Sequence, residues 1–254
     1  MDLQIKGKTA LVTGGSQGIG FAIARELARE GVTVFIASRN EAHIEKAVSQ
    51  LRQELALAQI EGILLDLSSE DQIRSCVKGL CSKHEVDILI NNVGGPAAGK
   101  ALDLTPEQWD AGYRSLLRSV ILLIQLVSPQ MKDKRWGRIL TVTSTAAKEL
   151  IPGLPISSTF RAGLSAFCKT VAKELGAWGI LVNNLLPGPT NTARLKELSH
   201  TNPDFFNSML STSALGRIAE PEEMGKIAAF LCSGANTYIT GTDILADGGY
   251  TRAI

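Results

Sequence analysis

The clearest chemical signal in the sequence comes from Gly14, Gly18 and Gly20 in the stretch 13–20, which reads T-G-G-S-Q-G-I-G. An apolar run that ends at Thr13 predicts a buried strand, and the spacing of apolar residues after Gly18 predicts a helix. Glycine lets the chain turn sharply and approach a pyrophosphate, while a helix N-terminus presents free N–H groups and a positive dipole end. A second strand pattern ends at Ala37, so the unit has the size, about thirty residues, of a nucleotide-binding βαβ unit. These features predict a nucleotide site, and a glycine turn without a ligand is the alternative.

Strand and helix patterns alternate along the whole chain, which is typical of a parallel sheet covered by helices on both faces. We predict an α/β, doubly wound fold with roughly seven parallel strands, in a single domain, 1–254. The polar, irregular stretch at about 189–218 predicts a mobile substrate lid. The predicted strands are Leu11–Val12, Thr33–Ala37, Glu61–Asp66, Asp87–Asn91, Arg138–Thr143, Leu181–Leu185 and Thr242–Ala246. The predicted helices lie around 19–27, 41–58, 69–83, 105–131 and 157–175, and a last one begins at Pro221.

The composition is that of an ordinary globular chain and argues against several classes of function. Hydrophobic residues make up 44% and charged residues 20% of the 254 residues, and the formal net charge is +1. This balance does not favour binding of nucleic acid or of a membrane surface. The longest apolar run, Val120–Val127, is too short to span a bilayer, and we see no secretory leader before the first strand. We expect a cytoplasmic protein.

The cysteines and histidines show no spacing typical of metal ligands. The four cysteines lie without a C-x-x-C motif, and the three histidines lie in polar contexts without an H-x-x-x-H motif. We interpret the cysteines as small, buried apolar residues of a protein in a reducing compartment. No metal site is predicted.

The glycine turn is the first of several motifs in this sequence that occur together in one protein family. Together with Asn91-Asn92-Val93-Gly94, Pro187-Gly188 and the segment 239–249, the stretch 13–20 resembles the short-chain dehydrogenase/reductase superfamily. The texture is most similar to its 3-oxoacyl-thioester reductase-like members. The resemblance implies a Rossmann-type fold, a nicotinamide cofactor and hydride exchange with a small carbonyl or alcohol. The cofactor-binding residues that it implies are Gly14, Ser16, Gln17, Gly18, Ile19, Gly20, Ser38, Arg39, Asp66, Leu67, Asn92, Gly94, Arg161, Pro187, Gly188, Thr190 and Thr192.

The residues at the end of the second strand favour NADP(H) over NAD(H). An acidic residue about twenty positions after the glycines commonly holds the adenosine ribose hydroxyls. Here the sequence reads Ala37-Ser38-Arg39-Asn40, without a carboxylate. A hydroxyl and a permanent planar cation suit a 2′-phosphate, which a carboxylate would repel. Two alternatives stay open: Arg39 is a solvated loop charge, or Asp66 caps the following helix instead of facing the adenine.

The resemblance implies four catalytic groups, and the chain keeps one of them. In the superfamily a serine binds the carbonyl oxygen, a tyrosine acts as acid and base, a lysine lowers the pKa of that tyrosine, and an asparagine supports a water relay. Ser144 matches the serine. The tyrosine and lysine of the Tyr-x-x-x-Lys pair fall on Ser157 and Arg161, and the asparagine falls on Leu116. The candidate catalytic residues are therefore Ser144, Ser157 and Arg161.

No shift of the alignment restores the tyrosine, because the tyrosines of the chain are Tyr113, Tyr238 and Tyr250. An aliphatic hydroxyl is a far weaker acid than a phenol, so Ser157 cannot simply take over as general acid. Arg161 stays protonated at working pH, and it can donate to a ribose hydroxyl without relaying protons. Tyr113, expected on nearly the same helix face as the lost asparagine position, is the one substitute donor, although we favour a packing role for it.

The resemblance implies an NADP(H)-dependent oxidoreductase with an atypical site that acts on an unidentified small molecule. The alternatives are a silent NADP(H)-binding sensor or regulatory subunit, and a non-redox enzyme on the same fold. The helix predicted at Thr105–Met131 is apolar around much of its circumference, more than one core face requires. Together with the resemblance, this favours a homodimer or homotetramer that pairs through this helix and Ser157–Leu175, with burial inside one domain as the alternative.

Overall fold

Seven parallel strands form one sheet in the computed structural model, which describes residues 1–201 and 211–252, with side chains at 1–197 and 211–252. The strand order is β3-β2-β1-β4-β5-β6-β7. The chain therefore winds outward from β1 in one direction, returns beside β1 and winds outward in the other, which is the predicted doubly wound arrangement. The strands are β1 (Thr9–Thr13), β2 (Thr33–Ser38), β3 (Ile60–Leu64), β4 (Ile88–Asn92), β5 (Gly137–Val142), β6 (Ile180–Pro187) and β7 (Asp243–Ala246).

The helices begin and end close to their predicted bounds, and the residues at their first turns explain two of the differences. The side chain of Ser69, rather than an earlier residue, caps the third helix by accepting the N–H of Gln72. Pro155 occupies the first turn of the sixth helix, which therefore begins two residues before the predicted Ser157. The helices are α1 (Gly18–Arg29), α2 (Glu41–Glu54), α3 (Glu70–Cys81), α4 (Pro106–Gly112), α5 (Ser119–Lys134), α6 (Pro155–Leu175), α7 (Ala193–Thr201) and α8 (Pro221–Leu231).

Both faces of the sheet are covered, so its central strands are continuous apolar runs. Successive side chains of a strand point to opposite faces. Val12 and Ile90 accordingly pack under α1, α2 and α8, whereas Leu11 and Leu89 pack under α3, α5 and α6. Two apolar clusters result, one on each side of the sheet, and the sheet holds the ends of its strands in fixed positions.

The long helix predicted at Thr105–Met131 begins at a capping box, as its sequence indicates. The Thr105 hydroxyl accepts the N–H of Gln108, whose side chain accepts the N–H of Thr105. Between α4 and α5 the helix widens into a π-helical turn, Tyr113–Arg118, without breaking. The continuous helix, Pro106–Lys134, is by length and composition apolar enough to cross a membrane, a property that it shares with core helices. It packs against α3 and α6, which buries part of its apolar surface.

The stretch predicted as an irregular lid, 189–218, contains a helix. The prediction was wrong for α7, because Thr192 starts it: the Thr192 hydroxyl accepts the N–H of Leu195 and its carbonyl accepts the N–H of Lys196. The two ends of the stretch meet in a short parallel bridge between Thr190 and Ala219. Residues 202–210 of the predicted lid lie outside the described residues.

Candidate cofactor cleft and active site

The turn between β1 and α1 requires glycine where the sequence places it. Gly14 (φ +56°) and Gly18 (φ +55°) lie in the left-handed region that favours glycine. A Cβ atom on Gly20 would lie 2.2 Å from the Gly14 carbonyl oxygen, and one on Gly14 would lie 2.6 Å from the carbonyl oxygen of Asn92. Backbone therefore packs directly against backbone, and the Asn92 amide secures the contact by donating to the Gly14 carbonyl at 3.1 Å.

A cleft of about 560 Å³ opens at this turn, outside the carboxyl ends of β1, β2, β3 and β4. Strand β1 lies between β2 and β4, so the cleft is at the point where the winding direction reverses. Doubly wound sheets bind their ligands at such a point. The predicted cofactor residues in the wall of the cleft are Gly14, Ser16, Gln17, Gly18, Ile19, Ser38, Arg39, Asp66, Leu67, Asn92, Gly94 and Thr192.

The end of the cleft at β2 has the chemistry of a phosphate site. The Ser16 hydroxyl donates to the Ser38 hydroxyl at 3.0 Å, which places two hydroxyls side by side. Arg39 is exposed in the cleft wall and makes no hydrogen bond or ion pair with another described residue. His43 lies beside it, and Asp66 is the one carboxylate among the described residues of the wall. A free guanidinium without a neighbouring carboxylate at the end of β2 fits a 2′-phosphate.

Asp66 does not cap α3, so the capping alternative raised by the sequence is wrong. Its carboxylate accepts the N–H of Ser68 at 2.9 Å and the Ser68 hydroxyl at 2.8 Å, and thereby closes the turn that follows β3. The cap of α3 is Ser69. With Leu67, Asp66 forms the cleft wall at the edge expected for the adenine.

The candidate catalytic side of the site contains a buried cation. Arg161 is 6% exposed. Its Nε donates to the Ser157 hydroxyl at 3.1 Å, and its two Nη atoms donate to the carbonyls of Val142 at 3.1 Å and of Val93 at 3.4 Å. No carboxylate among the described residues lies within ion-pair distance of it. Burial lowers the pKa of Arg161 to about 10, so the guanidinium remains charged at neutral pH.

Arg161 ties helix α6 to the ends of two central strands. Val142 is the last residue of β5, and Val93 directly follows β4. Ser144 stands two residues after Val142, half-buried, and its hydroxyl accepts the N–H of Ala146 at 3.1 Å. The fold thus places Ser144 and the Ser157–Arg161 pair at the carboxyl edge of the sheet, where the cleft also opens.

Comparison with known proteins decides the family. The family described as Enoyl-(Acyl carrier protein) reductase matches residues 14–251. The 3-oxoacyl-[acyl-carrier-protein] reductase FabG of Chlamydia trachomatis is 33% identical over 243 residues, which cover 95% of this chain and 96% of the relative. The chain is a short-chain dehydrogenase/reductase.

Two solved structures share the fold of this short-chain dehydrogenase/reductase over nearly its whole length. L-sorbose reductase from Gluconobacter frateurii, solved with NADPH and L-sorbose, has a TM-score of 0.92 at 29% identity and covers 100% of both chains. YwfH, an NADPH-dependent reductase involved in bacilysin biosynthesis, has a TM-score of 0.93 at 30% identity and covers 97% of this chain and 99% of its own. The chain therefore belongs among oxidoreductases whose structural neighbours include NADPH-binding proteins.

Several predicted site residues of this short-chain dehydrogenase/reductase do not form the cleft wall. Gly20 lies behind the turn, against Gly14. Gly188 lies so close to Asp247 that a Cβ on it would be 2.6 Å from the Asp247 Cα, and Thr190 donates to the Gly188 carbonyl at 3.0 Å. These residues shape the backbone around the cleft. The predicted residues outside the wall are Gly20, Ser144, Ser157, Arg161, Pro187, Gly188 and Thr190.

Tyr113 and Leu116 do not share a helix face, so that expectation was wrong. Tyr113 is 40% exposed and Leu116 is 1% exposed. The reason is that both lie in the π-helical turn, which is wider than an α-helical turn and rotates residues three apart away from each other. The Tyr113 ring packs 6.1 Å from the ring of Phe160, consistent with the packing role. Ser115 is the residue of this turn that reaches the cleft.

The sequence did not single out some residues of the cleft wall. Most of them are next to predicted cofactor residues in the chain, so they lie in the wall because their neighbours do. Arg194 is different, because it comes from α7: it donates to the Pro96 carbonyl at 3.1 Å and pairs with Glu197 at 3.1 Å. An isolated arginine in a polar stretch gave no signal for this position. The additional wall residues are Asn40, His43, Leu65, Ser68, Val93, Gly95, Ser115, Ala193 and Arg194.

Proposed function

We propose that this chain is an NADP(H)-dependent reductase of a small carbonyl compound, with Ser144, Ser157 and Arg161 in place of the usual tyrosine–lysine chemistry. The observation that carries the proposal is the buried Arg161 guanidinium, which donates to Ser157 and has no carboxylate partner among the described residues. A buried cation without a counter-ion is costly in the free protein. It is compensated when negative charge develops beside it, which is what reduction of a carbonyl produces.

The cleft supports NADP(H) as the cofactor. The glycine turn and the α1 N-terminus would hold the pyrophosphate, and Ser38 with Arg39 would hold the 2′-phosphate. Asp66 and Leu67 would meet the adenine, and Asn92 with Gly94 the ribose. Thr190 and Thr192, after Pro187-Gly188, would lie toward the nicotinamide. When bound, the nicotinamide supplies or accepts the hydride.

The candidate catalytic residues would stabilise the oxyanion without themselves being strong acids. Ser144 and Ser157 would donate hydroxyl hydrogen bonds to the substrate oxygen, and Arg161 would polarise the Ser157 hydroxyl through the 3.1 Å bond. Such a preorganised donor is worth about 10²- to 10³-fold in rate. The proton that finally neutralises the oxyanion comes from water, because Ser157 must regain any proton that it gives.

A cofactor titration followed by a substrate panel tests the proposal. We expect NADPH to bind in equimolar amount, and at least one small ketone, 3-oxoacyl thioester or sugar ketone to be reduced. The Gly20→Ala variant, purified in parallel, is the control for contaminating reductases, because its turn cannot form the cleft. Stoichiometric NADPH binding without consumption of any panel compound would instead identify a silent NADP(H)-binding protein.

We further propose that the protein is a single-domain cytoplasmic homodimer or homotetramer, with 189–218 as its substrate lid. The faces of the π-helical turn, α5 and α6 leave Tyr113 exposed and Leu117, Ile121 and Phe160 half-buried. A second copy would cover these apolar groups by symmetric pairing. Light scattering at micromolar concentration tests the assembly, and a monomer would contradict it.

A further inference from the structure

The apolar interior beneath α6 gives way to polar side chains just below the candidate catalytic residues. Leu89, Ile139 and Val182 are neighbours on β4, β5 and β6, and all three are buried. Two residues further along these strands the neighbours are polar, and the pairing continues onto β7. This polar row consists of Asn91, Thr141, Asn184 and Asp243.

One half of the polar row faces α6 and is fully buried. The Asn91 amide donates to the Thr141 hydroxyl at 3.3 Å. The same hydroxyl lies 3.5 Å from Cys168 Sγ on α6. Burial raises the pKa of the Cys168 thiol to about 11, so it stays protonated at neutral pH. Every group in this half is therefore neutral.

The other half of the polar row leads to the surface. The Asn184 amide donates to Asp243 Oδ1 at 2.7 Å, and the Lys148 ammonium lies 2.8 Å from Asp243 Oδ2. The side chain of Lys148 is 41% exposed and that of Asp243 is 11% exposed. Burial acts to raise the pKa of Asp243, but hydrogen bonds from Lys148 and Asn184 outweigh it and lower that pKa. The row thus ends in an ion pair that reaches solvent.

Three buried polar atoms at this row have no hydrogen-bond partner among the described residues: Asn91 Oδ1, Asn184 Oδ1 and Ser165 Oγ. Asn91 is 0% and Asn184 2% exposed. The Ser165 hydroxyl lies near enough to Asp243 to help lower the pKa of that carboxyl, yet it makes no hydrogen bond of regular geometry. Buried polar groups left unpaired by protein atoms are commonly satisfied by ordered water.

Helix α6 carries a polar stripe that crosses this row. Ser157, Arg161 and Ser165 are spaced four residues apart, so they lie on one helix face, one above the other. The Arg161–Ser157 hydrogen bond forms the upper end of the stripe. Ser165, one turn below Arg161, forms the lower end beside Asp243. Polar side chains therefore recur on this helix face from the candidate active site to the Lys148–Asp243 pair, and two of the unpaired oxygens, Asn184 Oδ1 and Ser165 Oγ, belong to residues next to Asp243.

We propose that a string of ordered water molecules bridges Asn91 Oδ1, Asn184 Oδ1 and Ser165 Oγ, and that it carries protons between solvent at Lys148–Asp243 and the Ser157 hydroxyl. This inference rests on the proposed reductase function for its catalytic part. Hydride transfer to the carbonyl carbon leaves a pair of electrons on the oxygen, and that oxygen takes the Ser157 proton. Ser157 regains a proton from the nearest water of the string, each water is reprotonated by the next, and solvent supplies the last proton. Arg161 stays protonated throughout.

A high-resolution crystal structure of the unmodified protein tests the water string directly. We expect ordered water within hydrogen-bond distance of Asn91 Oδ1 and Asn184 Oδ1. A dry interior, in which these atoms bond directly to protein groups, would overturn the inference whether or not the protein reduces any substrate.

Exchange of the Arg161 Nε–H with water, measured by NMR, tests the proton path without any substrate. Ser165→Ala and Asn184→Val, singly and together, should slow this exchange at least about ten-fold at a temperature at which all variants remain folded. The matched control is Thr170→Ala, which removes a hydroxyl from the exposed face of α6 that is bonded to the Ala166 carbonyl. Exchange that is equally fast in all variants would overturn the path.

Steady-state kinetics give a measurement that would not change if Ser165 had only a structural role. With any substrate found in the panel, Ser165→Ala should lower kcat about ten-fold and raise its solvent deuterium isotope effect, while KM and NADPH affinity stay unchanged. An unchanged kcat and isotope effect would show that catalysis does not use the water string. If the unmodified protein reduces nothing, the proposed function fails, and the crystal and exchange measurements still decide the water string and its proton path.

Discussion

The two sides of the candidate site are built on opposite principles. At the β1–α1 turn the groups proposed to bind the cofactor are backbone atoms, and the geometry leaves no room for a side chain on Gly14 or Gly20. At helix α6 a side chain does the work: Arg161 brings a charge into the interior and ties it to Ser157 and two carbonyls. The first side requires the absence of a Cβ atom at two glycines, and the second requires the charge of a buried guanidinium group. Substitutions on the two sides should therefore change different properties: cofactor affinity at the glycine turn, and reaction rate and stability at Arg161.

The largest effect is expected at the glycine turn. Gly20→Ala places a Cβ 2.2 Å from the Gly14 carbonyl oxygen, which the rigid backbone cannot accommodate. NADPH affinity should fall more than about 100-fold, which is about 2.7 kcal/mol or more. Fluorescence titration with NADPH measures it.

Gly79→Ala is the matched control for that loss. Gly79 lies on the exposed face of α3, and a Cβ there would meet nothing within 4 Å. NADPH affinity should stay unchanged, and the free energy of unfolding should rise by about 0.5–1 kcal/mol because alanine favours the helix. Equal affinity in Gly20→Ala and the unmodified protein would show that the turn does not form the cofactor site.

The same contrast explains what the sequence could and could not reveal. The glycine spacing after an apolar strand predicts the shape of the turn, and the alternating strands and helices predict the sheet that positions it. The fold and most of the cleft wall could therefore be predicted from the sequence. The environment of Arg161 could not be predicted, because its charge state and partners depend on carbonyls of Val93 and Val142 that meet only in the folded chain. The π-helical turn that separates Tyr113 from Leu116 likewise has no marker in the local pattern.

The next largest effect is expected at Arg161, where function and stability should move in opposite directions. Arg161→Met removes the charge and keeps an unbranched apolar stem. The rate of reduction should fall about 10²- to 10³-fold, because one preorganised donor to the oxyanion is lost. The free protein should be as stable as before or more stable, by up to about 4 kcal/mol, because a buried ion without a carboxylate counter-ion among the described residues is replaced by an apolar group. Steady-state kinetics and urea unfolding measure the two effects.

Arg161→Lys is the companion of that variant, since it keeps a charge but loses the planar fork. It should retain part of the activity and gain no stability. A loss of stability in Arg161→Met as large as the loss of activity would show that Arg161 only holds the strand ends together.

A smaller effect is expected at the far end of the cleft, where Arg39 is exposed and unpaired among the described residues. Arg39→Ala should weaken NADPH binding about ten- to one hundred-fold, the worth of a charged hydrogen bond of about 1.5–3 kcal/mol, and leave NADH binding nearly unchanged. Titration with both cofactors measures the difference, with the surface variant Arg29→Ala as control. An equal loss for NADPH and NADH would assign Arg39 a structural role.

The smallest effect is expected at an exposed ion pair between an arginine and a glutamate. It is the reference with which the effect of the buried Arg161 on stability is compared. Arg217 donates to both carboxylate oxygens of Glu223 at 2.7 and 2.8 Å, but both side chains are in contact with solvent. The hydrogen bond from Arg217, with one from the Glu220 N–H, lowers the pKa of Glu223 to about 2. Because water screens this pair, it contributes little to the stability of the fold.

Glu223→Gln keeps the acceptor of the capping box and removes the charge, so it isolates that contribution. A carboxyl whose pKa is lower in the folded than in the unfolded state stabilises the fold above the unfolded value, about 4.3, and loses this contribution as the pH falls toward 2. The variant should therefore be slightly less stable than the unmodified protein in urea at pH 7, and the difference should shrink by pH 3.5. Glu45→Gln, on the exposed face of α2, should change stability at neither pH. If Glu223→Gln lowered the free energy of unfolding by as much as Arg161→Met changes it, exposed and buried guanidinium groups would be equivalent in this protein. The distinction between the two kinds of arginine would then be wrong.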